Sequence, residues 1–348
     1  MSTVSGVLLA VHGLIHLVGL TRPNAVLWGT AAALFFAAAE ALFLWPRWWW
    51  AVGAAAVAVS TIPIAQNWTE AHVGAAVNAV ILTGVVFGFL AQGPFSLRAQ
   101  YDRDVRWGLD RPARADTLRD ADIAGLPAPV RRYLRRAGVI DQSRVRSVHV
   151  RMHGRIRSGP DAPWMPIAAE QVNVVDAPAR LFYLTGRMLG IPVQGFHRYV
   201  GSSASMIVKA AAIVPVVRAS GPEMDRAETV TMFNDMCVMA PATLASGGIE
   251  WAPVDDRRVR ARFTNGHHTI AAELVFNDED ELVNFWSDDR SIVEPGRPPR
   301  RIRWSTPVGS YRTFGQVRLA SHGAGYWHEP AGEYAYIELT IDDIQYNK

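Results

Sequence analysis

Hydrophobic and polar positions are distributed very unevenly along this chain. Four apolar runs follow one another near the start: Val4–Leu20, Ala25–Trp45, Trp48–Gln66 and His72–Ala91. Each is about 20 residues long, the length at which a helix crosses a hydrocarbon layer of about 30 Å. Residues 1–95 carry only four charged side chains, Arg22, Glu40, Arg47 and Glu70. Short polar breaks separate the runs, which predicts four antiparallel transmembrane helices packed as a compact bundle. Small residues such as Ala31–Ala33, Ala37–Ala39 and Gly53–Ala58 permit close helix contact where no hydrophobic effect drives association. The first run has no basic segment before it and is followed by three more, so it reads as a membrane helix and not as a cleaved signal.

Beyond residue 98 the period changes. Residues 147–157 alternate, with Val148, Val150, Met152 and Ile156 on one face and His149, Arg151, His153 and Arg155 on the other. That is a half-buried antiparallel strand. Residues 258–263 and 270–276 repeat the pattern around Asn265-Gly266, a hairpin turn signal. Eleven to thirteen strands are predicted. One helix interrupts them, entered through a capping box at Ser220-Gly-Pro-Glu223, with Val230, Phe233, Met236 and Cys237 as its apolar stripe. Cys237 on that stripe reads as a small hydrophobe. The fold class expected is therefore a four-helix membrane bundle (residues 1–95), a basic helical linker (96–140) and a mostly antiparallel β domain (141–348). The β domain is read as a curved sheet or half-barrel with one or two helices.

Charge adds orientation. Arg98, Arg103, Arg106, Arg111 and Arg114 follow the fourth run, and the positive-inside rule puts that side, and the large domain, in the cytoplasm. The net charge of +3 gives no reason to expect a nucleic-acid partner. Trp45, Trp48, Trp49 and Trp50 around Arg47 suit the headgroup layer. Within the linker a short helix carries Arg131, Arg132, Arg135 and Arg136, which could meet anionic lipid headgroups or form a solvated face.

Candidate chemistry is sparse. Polar groups inside a membrane raise a functional question. His12 and His16, four residues apart, share a helix face, and Glu40 and Asn78 lie in later runs. They could hold a metal or haem or relay protons, or simply hydrogen-bond helix to helix; the spacing favours the second. No phosphate loop, nucleophile elbow, zinc-protease motif or Cys pair occurs. The pairs His267-His268, Asp255-Asp256 and Asp342-Asp343 place adjacent residues on opposite strand faces and cannot chelate one ion. Trp251, Trp286, Trp304 and Trp327 fall on four predicted strands and could line an apolar cavity or fill a core, the second being favoured.

Several stretches carry a resemblance. Leu126-Pro-Ala-Pro-Val-Arg-Arg-Tyr-Leu-Arg135 and Ile213-Val-Pro-Val-Val-Arg-Ala-Ser-Gly-Pro-Glu-Met-Asp225 resemble signatures of an uncharacterised bacterial membrane-protein family. Trp304-Ser-Thr-Pro-Val-Gly-Ser-Tyr-Arg-Thr-Phe-Gly315 and Ile341-Asp-Asp-Ile-Gln-Tyr-Asn347 belong with them. His12-Gly-Leu-Ile-His16 is similar to the first helix of members with a four-helix membrane module. The resemblance implies this architecture and no assigned activity; its soluble part is more loosely similar to lipoprotein-carrier folds. The expectation is a membrane-anchored, non-enzymatic domain of a bacterial inner membrane. Its partners would be membrane lipids and a hydrophobic small molecule, with the cofactor unspecified. The alternatives are an enzyme or redox protein using His12 and His16, and a sensor or assembly protein.

Overall fold

The computed structural model describes residues 2–110, 116–292 and 298–348. Arg111 and Arg114 of the orientation argument lie outside the described residues. The chain divides into two compact units, Met1–Gln100 with Ala211–Ile213, and Tyr101–Ala210 with Val214–Lys348.

In the first unit the apolar runs form α1 (Ser2–Leu17), α2 (Ala25–Leu44), α3 (Trp49–Gln66) and α4 (Trp68–Gln92). Four stretches are long and apolar enough to cross a membrane. The fourth helix starts four residues earlier than its apolar run, because Asn67 alone makes the turn. The Asn67 side chain donates to the Pro63 carbonyl at 2.9 Å. Arg22 pairs with Glu70, and Asn24 donates to Gln66 at 2.9 Å, so both helix–helix turns meet at one end. The interior is small, with Ala31, Ala32, Ala38 and Ala56 buried around Phe35 and Val57. The large side chains point outward instead, among them Val4, Val26, Phe43 and Val73. Gly19 is required by this packing, since a Cβ there would lie 2.2 Å from the Trp28 ring.

The second unit adds α5 (Leu97–Leu109, of which 101–109 belong here), α6 (Ala128–Arg136) and α7 (Pro222–Met239). Its first six strands are β1 (Ser147–Ile156), β2 (Met165–Val174), β3 (Ala179–Met188), β4 (Ile191–Val200), β5 (Ser203–Ala210) and β6 (Val214–Ser220). After α7 come β7 (Ile249–Pro253), β8 (Arg258–Asn265), β9 (His268–Phe276), β10 (Leu282–Ser287), β11 (Ser291–Ile292) and β12 (Arg300–Arg301). The last are β13 (Trp304–Ser305), β14 (Val308–Phe314), β15 (Val317–Glu329) and β16 (Gly332–Tyr346). Three of these have only two residues, too short to leave a periodic signal, which is why fewer strands are legible in the sequence.

One antiparallel sheet runs β6-β5-β4-β3-β2-β1-β16-β15-β13-β10-β9-β8-β7, with β14 beside β15; β11 and β12 pair apart. The sheet curls until Asn265 on β8 donates to Tyr199 Oη on β4 at 2.6 Å. The half-barrel with a helix is the fold class expected. Helix α7 lies within the curl, buried nearly all round. Its apolar stripe of Val230, Phe233 and Cys237 packs into the core, and Phe233 stacks on Phe263 at 5.0 Å. Its N-cap is Gly221, at φ 102°, and not Ser220; Glu223 turns away to Ser291 and Arg301.

Residues 116–140 contribute to this core as well as connecting it. Leu118, Ile123, Val130, Tyr133 and Leu134 are fully buried, and Tyr133 donates to the Cys237 carbonyl at 2.8 Å. On the outer face, Arg151 and Arg155 of β1 pair with Asp343 and Glu338 of β16. Tyr101 covers the back of β3 and β4 through Tyr183 and Phe196.

Candidate functional site

Strand alternation normally delivers apolar side chains to a sheet's inner face. Here β2 presents Met165, Ile167 and Ala169 inward, and then Gln171 and Asn173 in the same register. Strand β3 does the same with Arg180, in phase with Phe182 and Leu184. Helix α7 answers with Glu228, Thr231, Asp235 and Val238, at helical spacing on one side. The result is a polar cluster at the centre of the domain.

Arg180 Nε donates to Asp235 at 2.6 Å and its Nη1 to Glu228 at 3.0 Å. Gln171 and Asn173 also donate to Asp235, at 2.7 and 3.1 Å. His197 Nδ1 lies 3.9 Å from Glu228, and Arg290 Nη2 lies 4.0 Å from it. Glu228, Asp235 and Arg180 are all buried. Burial, the largest single influence, opposes ionisation of Glu228, but the Arg180 charge, His197 and Arg290 together outweigh it and hold the carboxyl at about 2. For Arg180, burial likewise opposes the charge and the two carboxylates reverse it, so its pKa rises. The ion pairs are therefore closed, in geometry that repays a large desolvation cost.

Beside this cluster lies a cavity of about 170 Å³. Met152, Phe182, Leu184, Val238, Leu339 and Ile341 give it apolar walls, and exposed His322 marks its rim. Arg290 overhangs the polar end. Its guanidinium sits 4.4 Å above the Trp304 ring and 5.5 Å from that of Trp327, and its Nη1 donates to Tyr336 at 2.9 Å.

The four tryptophans do not share this space. Trp304 lines the cavity, and Trp327 is buried against Tyr336 with ring centroids 5.6 Å apart. Trp251 packs on Phe233, and it borders a separate charged groove with Trp286. Trp286 leaves the core because Phe285 beside it points in; its ring meets His328 at 5.0 Å.

The arginines of α6 engage the domain itself. Arg132 pairs with Asp280 at 2.6 Å, Arg135 with Asp120 at 2.8 Å and Arg136 with Glu281 at 3.8 Å. Arg131 donates to the Leu126 carbonyl at 2.6 Å.

In the helical bundle, His12, His16, Ser60 and Asn78 are buried together. His16 Nδ1 donates to the His12 carbonyl at 2.9 Å, and its Nε2 lies 2.7 Å from the Ser60 hydroxyl. His12 Nε2 donates to Asn78 Oδ1 at 2.9 Å, and Asn78 Nδ2 donates to Ser60 at 3.0 Å. Glu40 is exposed. Among the described residues no three His, Cys, Asp or Glu side chains gather as a metal site would require.

A bundle of four long apolar helices, followed by an antiparallel half-barrel closed over a helix, defines the class of protein. The chain belongs to the family of unknown function DUF6544, whose model matches residues 116–339. No curated protein matches it. Among solved structures it is similar to a domain described as an outer membrane lipoprotein-sorting protein from Vibrio parahaemolyticus. That pair shares 7% identity over 57% of this chain and 85% of the other, with a TM-score of 0.33. A LolA-superfamily protein from Nitrosomonas europaea shares 12% identity over 62% of this chain and 91% of its own, with a TM-score of 0.34. A DUF1329-family protein from Desulfovibrio piger shares 9% over 63% and 92%, with a TM-score of 0.30. The resemblance to an uncharacterised family stands.

Proposed function

We propose that this protein is a membrane-anchored binding protein whose β domain holds a hydrophobic or amphiphilic small molecule. The observation that carries this reading is the cavity beside α7. Protein interiors are close-packed, with few voids larger than a water molecule. A cavity of about 170 Å³ between apolar walls, with polar groups at one end and exposed His322 in its lining, has the make-up of a ligand site, although smaller than a drug-sized pocket. The bundle supports the anchoring. Its large apolar side chains face outward and its small and polar ones face inward, which suits lipid as the surrounding solvent. The arginines after α4 favour a bacterial inner membrane with the β domain on the cytoplasmic side.

The chemistry of the site favours binding over catalysis. The carboxylates of the cluster are held by Arg180, and burial raises the Cys237 thiol well above its ordinary range, which leaves it unreactive. The test is extraction and mass spectrometry of the full-length protein, exchanged from detergent into amphipol. A stoichiometric small molecule that disappears in Ala320→Phe, which fills the cavity, is expected. Identical extracts from both proteins would overturn the reading.

A further inference from the structure

Several buried polar atoms of the described residues have no hydrogen-bond partner, and four of them belong to residues that line this one cavity: Asn234 Nδ2, Arg290 Nε, Trp304 Nε1 and Thr306 Oγ1. Leaving a buried donor unmade is costly, so four around one space call for a partner. Three of the four can only donate. Trp304 and Thr306 stand two positions apart, on one side of an extended segment, and Arg290 lies directly over the Trp304 ring. The polar end of the cavity therefore offers donors and asks for an acceptor.

The charges around it say which kind. Arg180 and Arg290 are balanced by Glu228 and Asp235. A carboxylate or phosphate would bring a third anion into a cluster already neutral, and burying an uncompensated charge is far costlier than burying a dipole. A carbonyl oxygen can accept from two donors without that cost. Size bounds the remainder, since a cavity of about 150 Å³ holds a molecule as large as benzene.

Resting on the binding reading above, we propose that the ligand is a small amphiphile of roughly seven to nine non-hydrogen atoms. Its polar end is a neutral carbonyl (ketone, ester or amide) received by Arg290, Trp304, Thr306 and Asn234. Its alkyl part lies against Met152, Phe182, Leu184 and Val238.

The test uses the full-length chain in nanodiscs and equilibrium dialysis of labelled 2-heptanone, heptanoate and heptane, with empty nanodiscs subtracted. Heptanone is expected to bind at least about tenfold more tightly than heptanoate and about fivefold more tightly than heptane. Trp304→Phe and Asn234→Leu should each weaken heptanone about five- to tenfold and leave heptane unchanged. Because either variant could disturb packing, retention of heptane affinity reports that the cavity is intact. Heptanoate binding as tightly as heptanone, or equal binding of all three (the donors then being served by water), overturns the carbonyl assignment and leaves the binding reading standing. No binding of any probe above empty nanodiscs overturns both.

Discussion

Each unit buries a polar cluster, and the two clusters are built on different terms. In the bundle, His12, His16, Ser60 and Asn78 close on one another around a ring of hydrogen bonds that leaves over a single atom of theirs, His12 Nδ1. In the β domain, Arg180, Glu228 and Asp235 are charged, and beside them four polar atoms are left over at a cavity. A ring closed but for one atom joins helices. A cluster that leaves donors facing open space keeps capacity for something else. The proposed binding site accordingly rests on the cavity beside α7 and not on the histidines of the bundle.

The contrast is open to direct attack. The largest effect is expected from Arg180→Met, which leaves Glu228 and Asp235 buried without their cation. A loss of roughly 3–5 kcal/mol should appear in urea unfolding of the full chain followed by near-ultraviolet circular dichroism. A loss below 1 kcal/mol would mean the cluster is not closed as drawn. Acid should act on the same group. The Glu228 carboxyl is held at about 2 in the folded state against an ordinary 4.5. Its contribution is therefore complete above the ordinary value and lost as pH falls toward 2. It amounts to something on the order of 3 kcal/mol, and Glu228→Gln should flatten that part of the stability–pH curve.

Effects in the bundle should be smaller. Asn78→Leu removes one partner from each of His12 and Ser60, and about 0.6–2 kcal/mol is expected in thermal unfolding in detergent. His16→Ala should leave the metal content and visible absorption of the purified protein unchanged. An absorption band lost in that variant would restore the redox reading. The smallest change belongs to Arg132→Ala on α6. Its pair with Asp280 is more than a third exposed, so no more than about 1 kcal/mol should be lost.

Much of the fold was legible because single residues announce it. The Asn265-Gly266 pair marks the hairpin, and Gly266 takes a φ of 56° there. The alternation of residues 147–157 survives intact in β1, with its polar face paired to β16. The site was harder to read. Attention to aromatic rings selected Trp286, whose neighbour Phe285 occupies the inner face instead. The usable signal was a polar residue in an apolar register: Gln171 and Asn173 in phase with Ile167, and Arg180 in phase with Phe182. Which strands faced α7, and hence that Arg180 would meet Asp235 across 55 residues, came from the curl of the whole sheet. Local periodicity holds no record of such a long-range meeting.

The placement of β16 has a consequence for how the domain is made. It lies beside β1 at the middle of the sheet, and His153 meets Asp342 across 189 residues of chain. A ribosome therefore releases β1 through β6 long before the strand that covers the free side of β1. For that interval the nascent half-sheet carries an open inner edge, the kind that recruits foreign strands. The last long strand to emerge acts as the keystone that joins two arms already waiting for it.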